Sequence, residues 1–235
     1  DETGVISPGG VGYDINCGVR LLTTNLQRGD LNGKVRALVD ALFISVPSGV
    51  GSTSEMRLSP DDERKVFLTG ARWAVENGYG TPEDLAHTEE GGCLEGADPS
   101  VVSERAVERG RKQLGTVGSG NHFVEIGYVD EVFDEKAAAA FGLHQGQVTV
   151  FVHCGSRGFG YQVCDDFLAK MGHTAAKQGI ELPDRQLACA YINSPEGQEY
   201  YTAMACAANY AWANRQMLMH WVRETFMRIL NIGPK

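Results

Sequence analysis

Three glycine-rich loops constrain this chain more than any other feature: PGGVGYDINCG at 8–18, GSGN at 118–121 and GSRGFG at 155–160. Each adjoins an apolar or β-branched run, so each reads as a tight turn beside a strand. Glycine supplies 29 of the 235 residues, about 12% against a usual ~7%. It follows no collagen-like period and prolines number only 8. The glycines therefore mark backbone positions that need a positive φ or a close approach. With 43% hydrophobic and 22% charged residues, the chain has the composition of a globular protein with a sizeable core, not of a disordered one.

The loops are joined to recognisable elements. Val19–Leu22 reads as a strand, and a second apolar run, LFISV at 42–46, ends at Pro47 and a Gly/Ser loop. HFVEIGYV at 122–129 alternates, placing His122 and Val124 on one face and Asn121, Phe123 and Glu125 on the other. VTVFVHC at 148–154 is nearly continuous and β-branched, as expected of a strand buried on both faces. Ser59-Pro60, Thr81-Pro82 and Ser194-Pro195 each place a capping side chain before a proline at the first helical position. Asp62 and Asp84 then fall at N3, where a carboxylate meets the positive helix end. The first of these helices is expected to run to Asn77 and stop at Gly78. Asp98-Pro99 predicts a helix over VVSERAVERGRKQL with a basic face of Arg105, Arg109 and Lys112. From Pro195 to Leu230 the periodicity is helical, long enough that a break is expected to be allowed. No linker or repeat divides the chain. The fold class is α+β: a single mixed-sheet domain over 1–235 with long packing helices.

Charge narrows the function. A net charge of −9 and a pI near 5.2 exclude a basic nucleic-acid-binding domain. They leave open a polyanion held through metal ions, which bring their own positive charge. No apolar run is long enough to span a membrane and no secretory signal opens the chain, so no membrane role is expected. Six cysteines without a C-x-x-C pair read as reduced thiols of a cytoplasmic protein.

The loops also carry the chemistry. Asp14 and Cys17 lie three apart in the first loop, where a carboxylate and a thiolate can hold a divalent metal; they can equally cap a turn and fill a core. Asn121 and His122 follow the second loop as a phosphate donor and a metal ligand, or as an ordinary tight hairpin. His153 ends a strand before Ser156 and Arg157, a candidate anion pocket at a helix start. Together Asp14, Cys17, His122 and His153 form a mixed donor set that suits Mn²⁺, Zn²⁺, Fe²⁺ or Co²⁺ better than Mg²⁺ or Ca²⁺. Phosphate-friendly loops around such a set suggest phosphoryl transfer. His87, His144, His173 and His220, the aromatic stripe Tyr200, Tyr201, Tyr210, Trp212 and Trp221, and the other cysteines read as structural.

PGGVGYDINCGVRLL, LGTVGSGNHFVEI, VHCGSRGFGYQV and AANYAWANRQML resemble, in order and over nearly the whole chain, the RtcB family of RNA-splicing and RNA-repair ligases. The resemblance implies joining of RNA 3′-phosphate or 2′,3′-cyclic phosphate ends to 5′-hydroxyl ends, with GTP and two Mn²⁺ ions. It implies that Asp14, Cys17 and His122 hold one ion and Cys17 and His153 the other, Cys17 bridging. Asn121, His122, Phe123, Val124 and Glu125 match the segment that contacts the guanylate, and Arg157 matches a residue that contacts RNA or another anion. The guanylylated histidine of the family and one further metal-binding histidine match nothing here, so the chain is expected to be incomplete at both ends and, alone, inactive. RNA ends such as tRNA halves, an archease-type activator and a monomeric state come with the resemblance. Two other readings stay open: a Mn/Zn phosphohydrolase acting on RNA ends without GTP, and a non-catalytic RNA-binding module without metal dependence.

Overall fold

The computed structural model describes residues 4–233. Its strands are β1 (Val5–Ile6), β2 (Gly18–Gln27), β3 (Phe123–Tyr128), β4 (Gln147–Cys154) and β5 (Ala190–Tyr191). Its α-helices are α1 (Pro8–Val11), α2 (Val35–Ser45), α3 (Pro60–Thr69), α4 (Ala71–Glu76), α5 (Pro82–Ala86), α6 (Glu104–Gly110), α7 (Glu135–Ala140), α8 (Arg157–Lys177) and α9 (Pro195–Leu230). β4 lies between β2 and β3 in an antiparallel sheet, and β1 pairs with β5 in a second, two-stranded one. The α+β expectation holds, and the sheet is antiparallel rather than mixed.

The register explains the core. Val148, Val150, Val152 and Cys154 of β4 point to one side, with Leu22 of β2 and Val124 of β3 beside them. Leu218, Val222 and Phe226 of α9 close over that face. The other face carries Val19, Phe123, Phe151 and His153 and stays partly exposed. β4 is thus fully buried on one face and partly on the other, where Gln147 and Thr149 are buried but Phe151 is not; its β-branched run reflects a preference for the pleated surface as well as burial.

α9 is one unbroken helix of 36 residues, about 54 Å at 1.5 Å per residue. Ser194 caps it by accepting from the Gly197 N–H, and Asn231 ends it in the left-handed conformation. Its length is sustained by packing, because its second half covers the sheet and its first half, through Tyr200, Ala203 and Ala207, joins a second core with Val66, Phe67, Trp73, Phe159 and Met171. Burial along both halves removes the need for the break that its length allows.

Two expectations need correction, and the apolar run 42–46 finds its element: Leu42–Ser45 closes helix α2, with Val46 at its C-cap, and the buried Leu38, Ala41 and Leu42 follow helical spacing. The helix from Pro60 stops at Thr69 and restarts at Ala71, because Gly70 takes φ +55° and ψ −128° and a side chain there would sit 2.4 Å from the Gly92 carbonyl oxygen. The segment after Asp98 is a short 3₁₀ turn, Pro99–Val101, and a new helix, α6, begins after Ser103, whose hydroxyl accepts from the Ala106 N–H. α6 ends at Gly110, so Lys112 leaves the expected basic face and Arg109 turns to Gln162 and the Tyr161 ring.

The capping expectations hold, and Asp84 goes further. It accepts from the Thr81 N–H at 3.0 Å, from Gln216 Nε2 at 2.9 Å and from both Arg223 guanidinium nitrogens at 2.7 Å. Burial works against its charge, but these bonds from Arg223, Thr81 and Gln216 outweigh it and hold the carboxyl below its ordinary range. Asp84→Asn is expected to cost about 1–3 kcal/mol at pH 7, read as a lower urea midpoint. Because the folded pKa is depressed, this contribution is present above the unfolded value of ~3.9 and is lost as pH falls through the folded value. The difference between native protein and variant should therefore shrink below pH 4; a constant difference down to the lowest pH would exclude an ionised Asp84.

Candidate metal centre

Four side chains from the three glycine-rich loops meet at one point. Cys17 Sγ lies 3.4 Å from His122 Nε2 and 3.1 Å from His153 Nε2. Asp14 Oδ2 lies 2.7 Å from His122 Nε2. Donor atoms of Cys17, His122 and His153 all fall within 4.8 Å of one another, close enough for one ion to reach each. The sheet register sets this up. Gly18, next to Cys17, pairs with Cys154, and His153 pairs with both Val19 and Phe123, so the ends of β2, β4 and β3 arrive together.

Polar contacts aim the donors. His122 Nδ1 lies 2.9 Å from the Val117 carbonyl oxygen, which can only accept, so the proton belongs on Nδ1 and the Nε2 lone pair faces the cluster. That lone pair then faces the Asp14 carboxylate, two acceptors at hydrogen-bond distance. Either a proton or a cation has to lie between them. Partial desolvation by the surrounding groups, followed by the Asp14 charge, pushes the thiol of Cys17 up to about 11 even though the residue is exposed, against the pull of Arg215 and Arg157. Burial also opposes the Asp14 charge, yet its contacts with His122 and Cys17 and the nearby positive groups keep its carboxyl below the ordinary range. A divalent cation would relieve these conflicts: Cys17, His122 and His153 could hold it, with the Asp14 carboxylate beside His122 to supply negative charge. The residues present fit a metal of borderline softness.

The glycines between these residues allow the close approach. A Cβ on Gly155 would stand 2.3 Å from Asp14 Oδ1, and one on Gly118 would stand 1.8 Å from an Arg157 guanidinium nitrogen. Arg157 itself takes φ +55°, unusual for a side chain of its size, and directs its guanidinium toward Thr116 Oγ1 at 3.4 Å, passing close to the His122 ring without bonding its Nδ1–H.

The remaining candidate residues divide by face as the alternation predicts. Asn121, Phe123 and Glu125 are exposed beside the cluster, with the Phe123 ring 5.5 Å from that of His153. Val124 points into the core, so only its backbone is open to a ligand. The other histidines lie elsewhere: His87 contacts Glu83, His144 contacts Gln27, His173 is exposed on α8 and His220 packs against Tyr79 and Trp221. Cys93, Cys154, Cys164, Cys189 and Cys206 are buried, as expected.

Sequence reasoning passed over Asn214 and Arg215, which are buried in α9 and bonded to the first loop, to the end of β4 and the start of the third loop, and to Gly115 and Thr116 just before the second. The signal was present as three consecutive polar residues, Asn214, Arg215 and Gln216, inside an apolar helix.

Comparison with known proteins bears on this geometry. A family model described as tRNA-splicing ligase RtcB matches residues 1–235. The chain is 61% identical over 230 residues to the tRNA-splicing ligase RtcB of Archaeoglobus fulgidus, covering 98% of this chain and 48% of that protein. It is 55% identical over 235 residues to the protein of the same name from Methanococcus maripaludis, covering 100% and 49%. It is 56% identical over 228 residues to that from Thermococcus kodakarensis, covering 97% and 47%. The chain spans about half the length of the curated relatives it matches.

Proposed function

Since the chain belongs to the RtcB family, we propose that it carries the metal-binding part of an RNA ligase that joins 3′-phosphate or 2′,3′-cyclic phosphate ends to 5′-hydroxyl ends, using GTP and Mn²⁺. One observation carries the reading: the Cys17 thiol lies between two imidazoles, with Asp14 against one of them. Asp14, Cys17 and His122 would hold one Mn²⁺, and Cys17 and His153 a second. When bound, such a pair offsets the negative charge that builds up where RNA phosphate and nucleotide phosphate approach.

The chain's own residues do the positioning. The Nδ1–H bond to Val117 keeps the His122 lone pair on the site side, and Arg157 leans on the same ring from beyond. Asn121, Phe123 and Glu125 line the exposed rim where the guanylate would lie, Asn121 donating to a phosphate oxygen. Arg157 also adds a cation that can meet RNA phosphate. This answers the objection raised by the net charge of −9: the polyanion is met by metal ions and local guanidinium groups rather than by a basic surface. The guanylyl-accepting histidine is assigned to no residue here, because the histidines outside the cluster lie away from it. RNA ends such as tRNA halves, an archease-type activator, a monomeric state and a cytoplasmic location belong to the same proposal. Among the described residues no helix is long and apolar enough to cross a membrane.

Two assays test this. Mn²⁺ uptake by the chain should depend on Cys17, and incubation with labelled GTP should leave no covalent label on it. Release of inorganic phosphate from an RNA 3′-end without GTP would instead favour a phosphohydrolase. Unchanged RNA binding after metal removal would favour a binding module.

A further inference from the structure

Arg215 and Asn214 sit on consecutive positions of α9, buried, and together they tie the first loop, the junction of β4 with the third loop, and the segment leading into the second loop to one turn of helix. Arg215 Nη1 donates to the carbonyl oxygens of Asn16 at 2.7 Å and Cys154 at 2.8 Å, and Nη2 donates to Asn16 Oδ1 at 2.6 Å. Asn16 precedes Cys17, and Cys154 follows His153. A single guanidinium therefore fixes the distance between the thiol and one of its imidazoles. Asn214 does the same for the other side. Its Oδ1 accepts from the N–H groups of Gly115 at 2.7 Å and Thr116 at 3.1 Å. Its Nδ2 donates to the carbonyl oxygens of Thr116 at 3.0 Å and Gly155 at 3.2 Å. Thr116 precedes Val117, which orients His122, and Gly155 faces the Asp14 carboxylate. Each of these bonds ends close in the chain to a donor or to that donor's own partner.

We propose that Asn214 and Arg215 are positioning residues of the metal centre, acting through the backbone of its three loops to set the separation of Cys17, His122 and His153. Neither touches the ion. The fork of Arg215 spans two loops at once, which a lysine ammonium cannot reproduce. The inference rests on the metal-centre reading above.

The test is titration of the purified chain with Co²⁺, read by its thiolate charge-transfer absorption, which reports affinity and Cys17 geometry together. Arg215→Lys should weaken Co²⁺ binding by about 10–100-fold and diminish the band at saturation. Asn16→Gly serves as a second variant should Arg215→Lys fail to fold: glycine keeps the φ of +54° while removing the Oδ1 contact. It should shift affinity in the same direction. Asn209→Ser is the control, since Asn209 is equally buried in α9 but bonds Phe67, Leu68 and Leu94, away from the site. It should lower the melting temperature and leave the band intact. Native affinity and band in both Arg215→Lys and Asn16→Gly, or an equal loss in Asn209→Ser, would overturn the inference. Co²⁺ binding that is the same in the native chain and in Cys17→Ala would overturn the metal-centre reading itself.

Discussion

Cys17→Ala is expected to remove nearly all of the stabilisation that metal would give the chain while leaving the metal-free protein as stable as before. Cys17 is exposed, and a substitution at such a position usually stays within ±0.5 kcal/mol. It is also the only one of the four donor residues in contact with both imidazoles, at 3.4 and 3.1 Å. Its loss removes a ligand from every ion the site could hold. The affinity should fall by more than the ~10–100-fold that loss of an outer partner costs. With Mn²⁺ at a hundred times its dissociation constant, the native chain gains about 2.7 kcal/mol of folding stability. With a loss beyond 100-fold, the variant should gain less than about 0.4 kcal/mol at that concentration. Melting curves with and without Mn²⁺ read the effect directly, and an undiminished metal-linked shift in the variant would remove Cys17 from the centre.

The parts of this arrangement legible in the sequence are those that local chemistry decides. Ser59, Thr81 and Ser194 mark helix starts because a hydroxyl before a proline leaves the backbone few alternatives. The alternation from His122 to Glu125 separates inward from outward residues because a strand has period two. The three loops stand out because clustered glycine marks backbone that a side chain would obstruct. What stayed hidden depends on partners distant in the chain. Five residues, 42–46, look like a strand in isolation; the helix emerges only when Leu38, Ala41 and Leu42 are counted together. The break at Gly70 is set by the carbonyl of Gly92, and a lone glycine between residues 60 and 77 does not by itself announce it. The contacts of Arg215 reach back 199 residues to Asn16, and periodicity assigns such a residue to a helix without saying what it holds. The glycine-rich loops singled out the four donors and the family resemblance implied how they share the ions, but only the assembled sheet explains why they meet.

The second large effect comes from a residue that donates nothing. Gly155 is buried between the end of β4 and the start of α8, and its φ is not in the left-handed region, so alanine is compatible with the backbone there. Space forbids it instead: an added Cβ would lie 2.3, 2.4 and 2.5 Å from Oδ1, Oδ2 and Cγ of Asp14. The backbone of Gly155 is not free to retreat, since Asn214 holds its carbonyl. Asp14 is one-third exposed and has a short side chain, so it is the group that moves, swinging toward water and away from His122. Gly155→Ala should therefore change folding stability by no more than about 1 kcal/mol, because the alanine also reduces the entropy of the unfolded chain. Metal affinity should drop on the order of 10²-fold, the scale on which a displacement of about 1 Å disables a site. A double-mutant cycle isolates the cause. If Gly155→Ala acts by expelling the carboxylate, adding it to Asp14→Ala should weaken Mn²⁺ binding no further. Additive losses would mean that the glycine serves the strand end or the helix start instead, and that Asp14 tolerates the methyl group.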